Sequence, residues 1–263
     1  MRRQMTDERS AGAWGIAPAR PRASAEEVHV WRAFLDLPPH RVEKLARTLS
    51  SDEVRRAEHL FFSVDRLRFT VARGVLRIIL GSYLGIPPDE VAFAYGPHGK
   101  PALPPEFDEG RLHFNVAHSL GLALYAVARD REVGVDVEWM RPQPVSRSVA
   151  ARFFAPIEVE RLAALPEESQ GEAFYRCWTR KEAYIKARGE GLSLPLDQFD
   201  VSLAADERPV RLRTYHSPAD AERWRLWALQ PAPGYAAALA VEGSGWRLRR
   251  WTWVPVRRRV IAR

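Results

Sequence analysis

The chain has one cysteine, Cys177, among 263 residues. A lone thiol forms no internal disulfide and builds no thiolate zinc cluster, so any metal site must use carboxylates or imidazoles. Long hydrophobic runs are missing too. The longest, 120–128, contains Gly121 and falls far short of the roughly 20 apolar residues that span a bilayer. No G-x-x-x-x-G-K-S/T or G-x-G-x-x-G run occurs where a nucleotide-binding strand and helix would need it, which excludes the P-loop and dinucleotide-binding classes. Near the start, Arg2 and Arg3 are followed by Asp7, Glu8 and Arg9, where a signal peptide would place its apolar segment. These absences predict a cytoplasmic protein with no membrane span.

Apolar residues are plentiful nonetheless. At 46% hydrophobic and 28% charged the composition is that of a folded chain, long enough for one large domain or two small halves. Forty Lys and Arg against 33 Asp and Glu give a formal charge of +7, a field that attracts polyanions without naming one. Part of the excess lies in Arg257, Arg258, Arg259 and Arg263, within a basic C-terminal tail expected over 246–263.

Residues 1–25, rich in Ala, Arg, Ser and Gly, read as a disordered leader. Two passages then repeat one plan. In the first, a strand over 28–35 precedes a helix opened by Ser51 as N-cap, then a longer helix over 65–83 with Leu67, Val71, Val75, Leu76, Ile79 and Leu80 at helical spacing, then extended chain over 91–95. In the second, a strand over 133–139 precedes a short helix over 158–165, a long one over 172–187 stopped by Gly189 and Gly191, and extended chain over 199–203. Hairpins over 112–127 and 224–241 complete a sheet in each. The expected fold is α+β, with similar halves at 26–130 and 131–245 and a ligand cleft between them.

Three segments carry the chemistry. Gly134-Val135-Asp136-Val137-Glu138 alternates strictly, so Asp136 and Glu138 share the face opposite the valines and can point at one cation. Acids on the wet side of an ordinary strand would read the same way. In the long helix, Trp178, Glu182 and Lys186 are spaced by four and line one face, which is also the pattern of a simple surface ion pair. His118 lies at the apparent turn between two apolar strands, available to bind an anion, move a proton or make a structural hydrogen bond. Gly99-Lys100-Pro101 is a short loop able to offer a lysine and backbone to a phosphate.

Taken in order, these pieces resemble the phosphopantetheinyl transferases of the large, pseudo-dimeric Sfp type, over roughly residues 28–242. The matching segments are Arg56, Gly99-Lys100-Pro101, Phe114-Asn115-Val116-Ala117-His118-Ser119, Gly134-Val135-Asp136-Val137-Glu138, and Trp178-Thr179-Arg180-Lys181-Glu182-Ala183-Tyr184-Ile185-Lys186 with Gly189, Gly191 and Leu192. The resemblance implies a 4'-phosphopantetheinyl transferase that moves the arm of coenzyme A onto a serine of an apo acyl or peptidyl carrier protein and releases 3',5'-ADP. It implies Mg2+ held by Asp136, Glu138 and Glu182 and bridged to the pyrophosphate. It further implies Lys186 and His118 at the phosphates, Lys100 and Pro101 lining the coenzyme site, Arg56 at the 3'-phosphate, and Glu182 as base, acting directly or through a metal-bound water. Where the family often has Ser or Thr before the histidine, this chain has Ala117, and Ser119 or backbone N–H groups are the expected substitutes. Carriers of fatty-acid, polyketide and non-ribosomal peptide synthesis all qualify as partners. The expected state is a monomer with an internal pseudo-two-fold, binding neither nucleic acid nor membrane. A nucleotide-diphosphate hydrolase using the same acids, and a basic nucleic-acid-binding module, are the competing classes.

Overall fold

Near-continuous apolar runs, Leu122 to Ala128 and Ala236 to Val241, are buried on both faces of their strands, and this dictates the layering. The computed structural model describes residues 13–18, 20–108, 110–141, 147–205, 207 and 209–255. In chain order the elements are β1 (Gly15–Ile16), β2 (Glu27–Phe34), α1 (Pro39–Ala46), α2 (Ser51–Glu58), α3 (Ser63–Leu84), β3 (Ala94–Tyr95), β4 (Pro101–Ala102), β5 (Leu112–Ser119), β6 (Leu122–Arg129) and β7 (Val133–Trp139). They continue with α4 (Arg147–Phe153), α5 (Pro156–Ala163), α6 (Glu167–Arg188), β8 (Phe199–Val201), β9 (Leu212–Thr214), α7 (Pro218–Glu222), β10 (Trp224–Leu229), β11 (Tyr235–Glu242) and β12 (Arg247–Thr252).

Five strands form one sheet in the order β1-β12-β2-β6-β5, and three form another in the order β10-β11-β7. Val28, Val30, Leu122, Leu124, Val135 and Leu239 pack between the sheets and join the halves. The opposite faces carry the helices. Trp31 and Tyr125 pack with Val75 and Ile79 of α3, and Ala238 and Ala240 pack with Ala183 and Tyr184 of α6. The order through the molecule is therefore α3, sheet, sheet, α6, and each fully buried aliphatic side chain contributes about 1.5–3 kcal/mol.

The duplication extends to buried charge. Helices α3 and α6 both have 22 residues and end at a left-handed glycine, Gly85 and Gly189, each at φ 72°. In α2, Glu53 accepts the Ser50 N–H at 3.1 Å and is then buried against α3, accepting Arg73 Nε and Arg77 Nε at 2.6 Å each. In α5, Glu158 accepts the Ala155 N–H at 2.9 Å and pairs with Lys181 of α6 at 2.7 Å. Arg77 and Lys181 occupy equivalent turns before their glycines. Replacing Arg77 by Met leaves Glu53, 2% exposed, with one cation instead of two, and is expected to cost about 3–5 kcal/mol in urea denaturation.

Some expectations shift. The N-cap of α2 is Ser50 rather than Ser51, and α6 begins at Glu167, a turn earlier than its apolar spacing suggests. Leu67, on the apolar register of α3, is exposed. The segment 246–263 is not a tail throughout: Arg247–Thr252 forms β12, which lies parallel to β2 inside the first sheet. Its arginines hide the pattern, yet Trp251 packs on His29 and Trp31, and Arg249 pairs with Glu27 at 2.9 Å. Part of the leader is ordered for the same reason. Gly15 and Ile16 pair with β12, and the Trp14 indole donates to the Gln230 carbonyl at 3.0 Å. The rest of the leader, 1–12, and the arginines of 257–263 lie outside the described residues. Among the described residues no helix is long and apolar enough to cross a membrane.

Candidate active site

Gly134 decides how closely α6 approaches β7. A Cβ there would lie 2.2 Å from the Ala183 carbonyl oxygen and 2.3 Å from the Ala187 nitrogen, so only glycine lets the helix backbone rest on the strand. Because alternate residues share a face, Asp136 and Glu138 also look towards α6. Asp136 is 4% exposed, which disposes of the ordinary surface-strand reading. On α6, Lys186 donates to Asp136 Oδ1 at 2.5 Å. The other oxygen, Asp136 Oδ2, is buried with no hydrogen-bond partner among the described residues. Glu138 accepts the Ser119 hydroxyl at 2.9 Å, and that hydroxyl accepts the Trp139 N–H at 3.1 Å.

Charges in the recess feel one another. Burial pushes the Asp136 carboxyl up to about 7, with Glu138 and Glu182 adding to the rise and Lys186 opposing it. Burial also raises Glu182, helped by Glu138. For Lys186 burial acts downwards, but Asp136, Glu182 and Glu138 outweigh it and hold the ammonium above its usual range. Lys186 still meets solvent, its side chain 31% exposed, so it lines a recess rather than a sealed core.

Three carboxylates against one ammonium leave an excess of negative charge, and a buried carboxylate oxygen without a donor is costly. Both features fit a divalent cation held by oxygen ligands. No cluster of three or more metal-ligating side chains is closed up in advance among the described residues, because Asp136 is engaged by Lys186 and Glu138 by Ser119.

The first half completes the cleft. His118 is the penultimate residue of β5, inside the strand rather than in the turn expected for it. The turn is Leu120-Gly121, with Leu120 at φ 46°, a conformation that costs a branched residue about 1–2 kcal/mol. His118 reaches solvent but is surrounded: burial lowers its pKa, and Lys186 and Arg56 lower it further. Arg56 is exposed on α2, 5.5 Å over the Phe69 ring. Its charge bears on His118, whereas that of Arg55 bears on Asp52, so Arg56 is the one turned towards the site. Ala117 is 5% exposed in the core between the sheets. The Ser119 hydroxyl, expected at a phosphate, donates to Glu138 here.

Lys100 and Pro101 line a cavity of about 320 Å³ with His113, Glu132, Arg188 and Gly189. A second cavity, of about 410 Å³, opens beside Glu138 and is walled by Trp139, Phe174 and Trp178. Glu132 and His113 escaped the sequence reading, and the only signal for Glu132 was a charge at the crossing between the halves. The side chain of Leu192 lies outside the described residues.

A two-half α+β protein that gathers acids, a lysine and a histidine at one recess has the groups that bind a cation together with phosphate oxygens. Residues 132–240 match the model of the 4'-phosphopantetheinyl transferase superfamily. Over 238 residues the chain is 44% identical to 4'-phosphopantetheinyl transferase HetI of Nostoc sp., covering 90% of this chain and 97% of that protein. It is 30% identical over 225 residues to a 4'-phosphopantetheinyl transferase of Bacillus subtilis, covering 81% and 96%, and 28% identical over 213 residues to Sfp of Bacillus subtilis, covering 80% and 90%. The chain belongs to the 4'-phosphopantetheinyl transferase family, of the Sfp type. Its reaction is transfer of 4'-phosphopantetheine from coenzyme A to carrier proteins.

Proposed function

We propose that this reaction runs in the recess between β7 and α6, and that Asp136, Glu138 and Glu182 hold Mg2+ there with the pyrophosphate of coenzyme A. The observation that supports it best is Asp136: buried, engaged by Lys186 on one oxygen and without a donor on the other. When bound, Mg2+ supplies positive charge to the oxygens of the transferring group. Everything else falls to the chain's own residues.

Lys186 is placed to move its ammonium from Asp136 towards a phosphate oxygen, where it neutralises charge that grows in the transition state. His118, with Arg56 beyond it, lines the same side and orients the phosphates. Lowered basicity leaves the imidazole neutral near pH 7, so it acts as a hydrogen-bond partner rather than a second fixed cation. Glu182 takes the proton of the attacking serine hydroxyl. Burial raises its basicity, the direction a base needs, and a bound cation would draw it down again. The serine oxygen then bonds to the phosphorus attached to pantetheine, and 3',5'-ADP leaves with the bonding pair.

The carrier presents its serine at the open side, next to the aromatic cavity beside Glu138. The net charge of +7 steers an acidic carrier surface towards the cleft without choosing among fatty-acid, polyketide and peptide carriers. Halves at 26–130 and 131–245, a monomeric state and a cytoplasmic location complete the reading. Incubation with coenzyme A, Mg2+ and a panel of apo carrier proteins should yield a carrier heavier by one phosphopantetheine and an equal amount of 3',5'-ADP. Release of 3',5'-ADP with every carrier unmodified would make the protein a hydrolase instead.

A further inference from the structure

We propose that Glu132, Lys100 and His113 form a latch that holds the coenzyme-lining loop against the end of α6, and that they act as positioning residues for coenzyme A. This rests on the transferase reading of the same cleft. Glu132 stands where the chain crosses from the first sheet to β7, and its two oxygens go separate ways. Oε2 accepts Lys100 Nζ at 2.8 Å, and Oε1 lies 3.1 Å from His113 Nδ1 on β5. Lys100 Nζ makes a second bond, at 3.1 Å, to the carbonyl of Ala187, the residue after Lys186. An ammonium at the C-terminal end of a helix also answers the negative end of its dipole. One carboxylate thus ties β5, the loop of Gly99-Lys100-Pro101 and the last turn of α6 together.

The end of α6 is shaped to receive that loop. Gly189 and Gly191 both have positive φ, 72° and 57°; a Cβ on Gly189 would stand 3.6 Å from Lys100 Cδ, and one on Gly191 3.3 Å from His98 Cβ. Side chains at both positions would be strained by the left-handed backbone, and one on Gly191 would also crowd His98. With its ammonium committed to Glu132 and Ala187, Lys100 does not serve as a free phosphate cation. Its loop instead walls the cavity of about 320 Å³, and the latch fixes that wall relative to Lys186. Burial favours the neutral form of Glu132, but His113 and Lys100 outweigh it and bring the carboxyl to about 2, so Glu132 stays a carboxylate throughout the working range.

The test is steady-state kinetics and calorimetric coenzyme A binding on wild type, Lys100→Met, Glu132→Gln, the double variant and His113→Gln. Lys100→Met and Glu132→Gln should each raise KM and Kd for coenzyme A by about tenfold, the scale of one charge-assisted hydrogen bond, with kcat and the carrier KM held within about twofold. His113→Gln should give a smaller rise of the same kind. The double variant should be no weaker than the worse single one, because either change opens the same latch. Unchanged coenzyme binding in the single variants, additive losses in the double one, or a fall in kcat with KM untouched would overturn the latch while leaving the transferase reading intact. A wild type that neither binds coenzyme A nor modifies a carrier would overturn both.

Discussion

Glu182→Gln is expected to fold like the wild type and to transfer phosphopantetheine on the order of a thousandfold more slowly, the middle of the range for loss of a general base combined with loss of charge at the site. Glu182 is only partly buried, and among the described residues no hydrogen bond ties it to the scaffold in the way that Glu53 and Glu158 are tied. Glutamine keeps its shape and strands no partner. Burial penalises the Glu182 carboxylate more than Lys186 favours it, so removing its charge should leave the denaturation midpoint equal or slightly higher. The two roles assigned to Glu182 separate on a metal titration. If it served only as a ligand, raising Mg2+ would restore the variant's turnover, and if it is also the base, kcat stays low at saturating metal. Full turnover in Glu182→Gln would remove it from both roles.

Gly134→Ala should be the most damaging methyl group that can be added to a glycine among the described residues. The added Cβ falls on backbone atoms of Ala183 and Ala187, so no side-chain rotation can relieve it and α6 itself must move. Overpacking of this kind costs about 1–3 kcal/mol or more. The larger effect is on the rate. Glu182 and Lys186 ride on the displaced helix while Asp136 stays on β7, and a misplacement of about 1 Å is worth on the order of a hundredfold in turnover. Denaturation and kcat measured on the same preparation check both parts, and wild-type values for both would refute the claim that Gly134 sets the helix against the strand.

Where a side chain's role follows from local periodicity, the sequence was readable. Strict alternation in β7 puts Asp136 and Glu138 on one face, and spacing by four puts Glu182 and Lys186 on one face. Neither pattern says that the two faces meet, because that depends on Gly134, whose importance lies in contact with a helix 50 residues away. Nor does periodicity give depth, so an acid on an alternating strand looked the same whether it was solvated or buried like Asp136. The Ser119 hydroxyl, expected in place of the one that Ala117 lacks, faces Glu138 in the fold, a contact no local pattern announces. His118 was placed in a turn because Gly121 follows, whereas the strand continues through it and the bulky Leu120 bears the strain. Lys100 shows the same limit. A lysine beside glycine in a loop suggests an anion, but its nearest anion is Glu132 of the same chain. The strand β12 is hidden by its arginines, since Arg247, Arg249 and Arg250 look like a solvated tail until a partner such as Glu27 is known.

The central claim is that the acids facing α6 take up a divalent cation together with coenzyme A. Electron paramagnetic resonance of Mn2+, standing in for Mg2+, measures this directly as the protein is titrated with coenzyme A. The account predicts that the free-ion signal is lost as one cation binds per chain, that coenzyme A tightens the uptake, and that Asp136→Asn abolishes it. A wild type that modifies its carrier yet leaves the Mn2+ signal unchanged, or an Asp136→Asn variant that takes up the ion as wild type does, would contradict it.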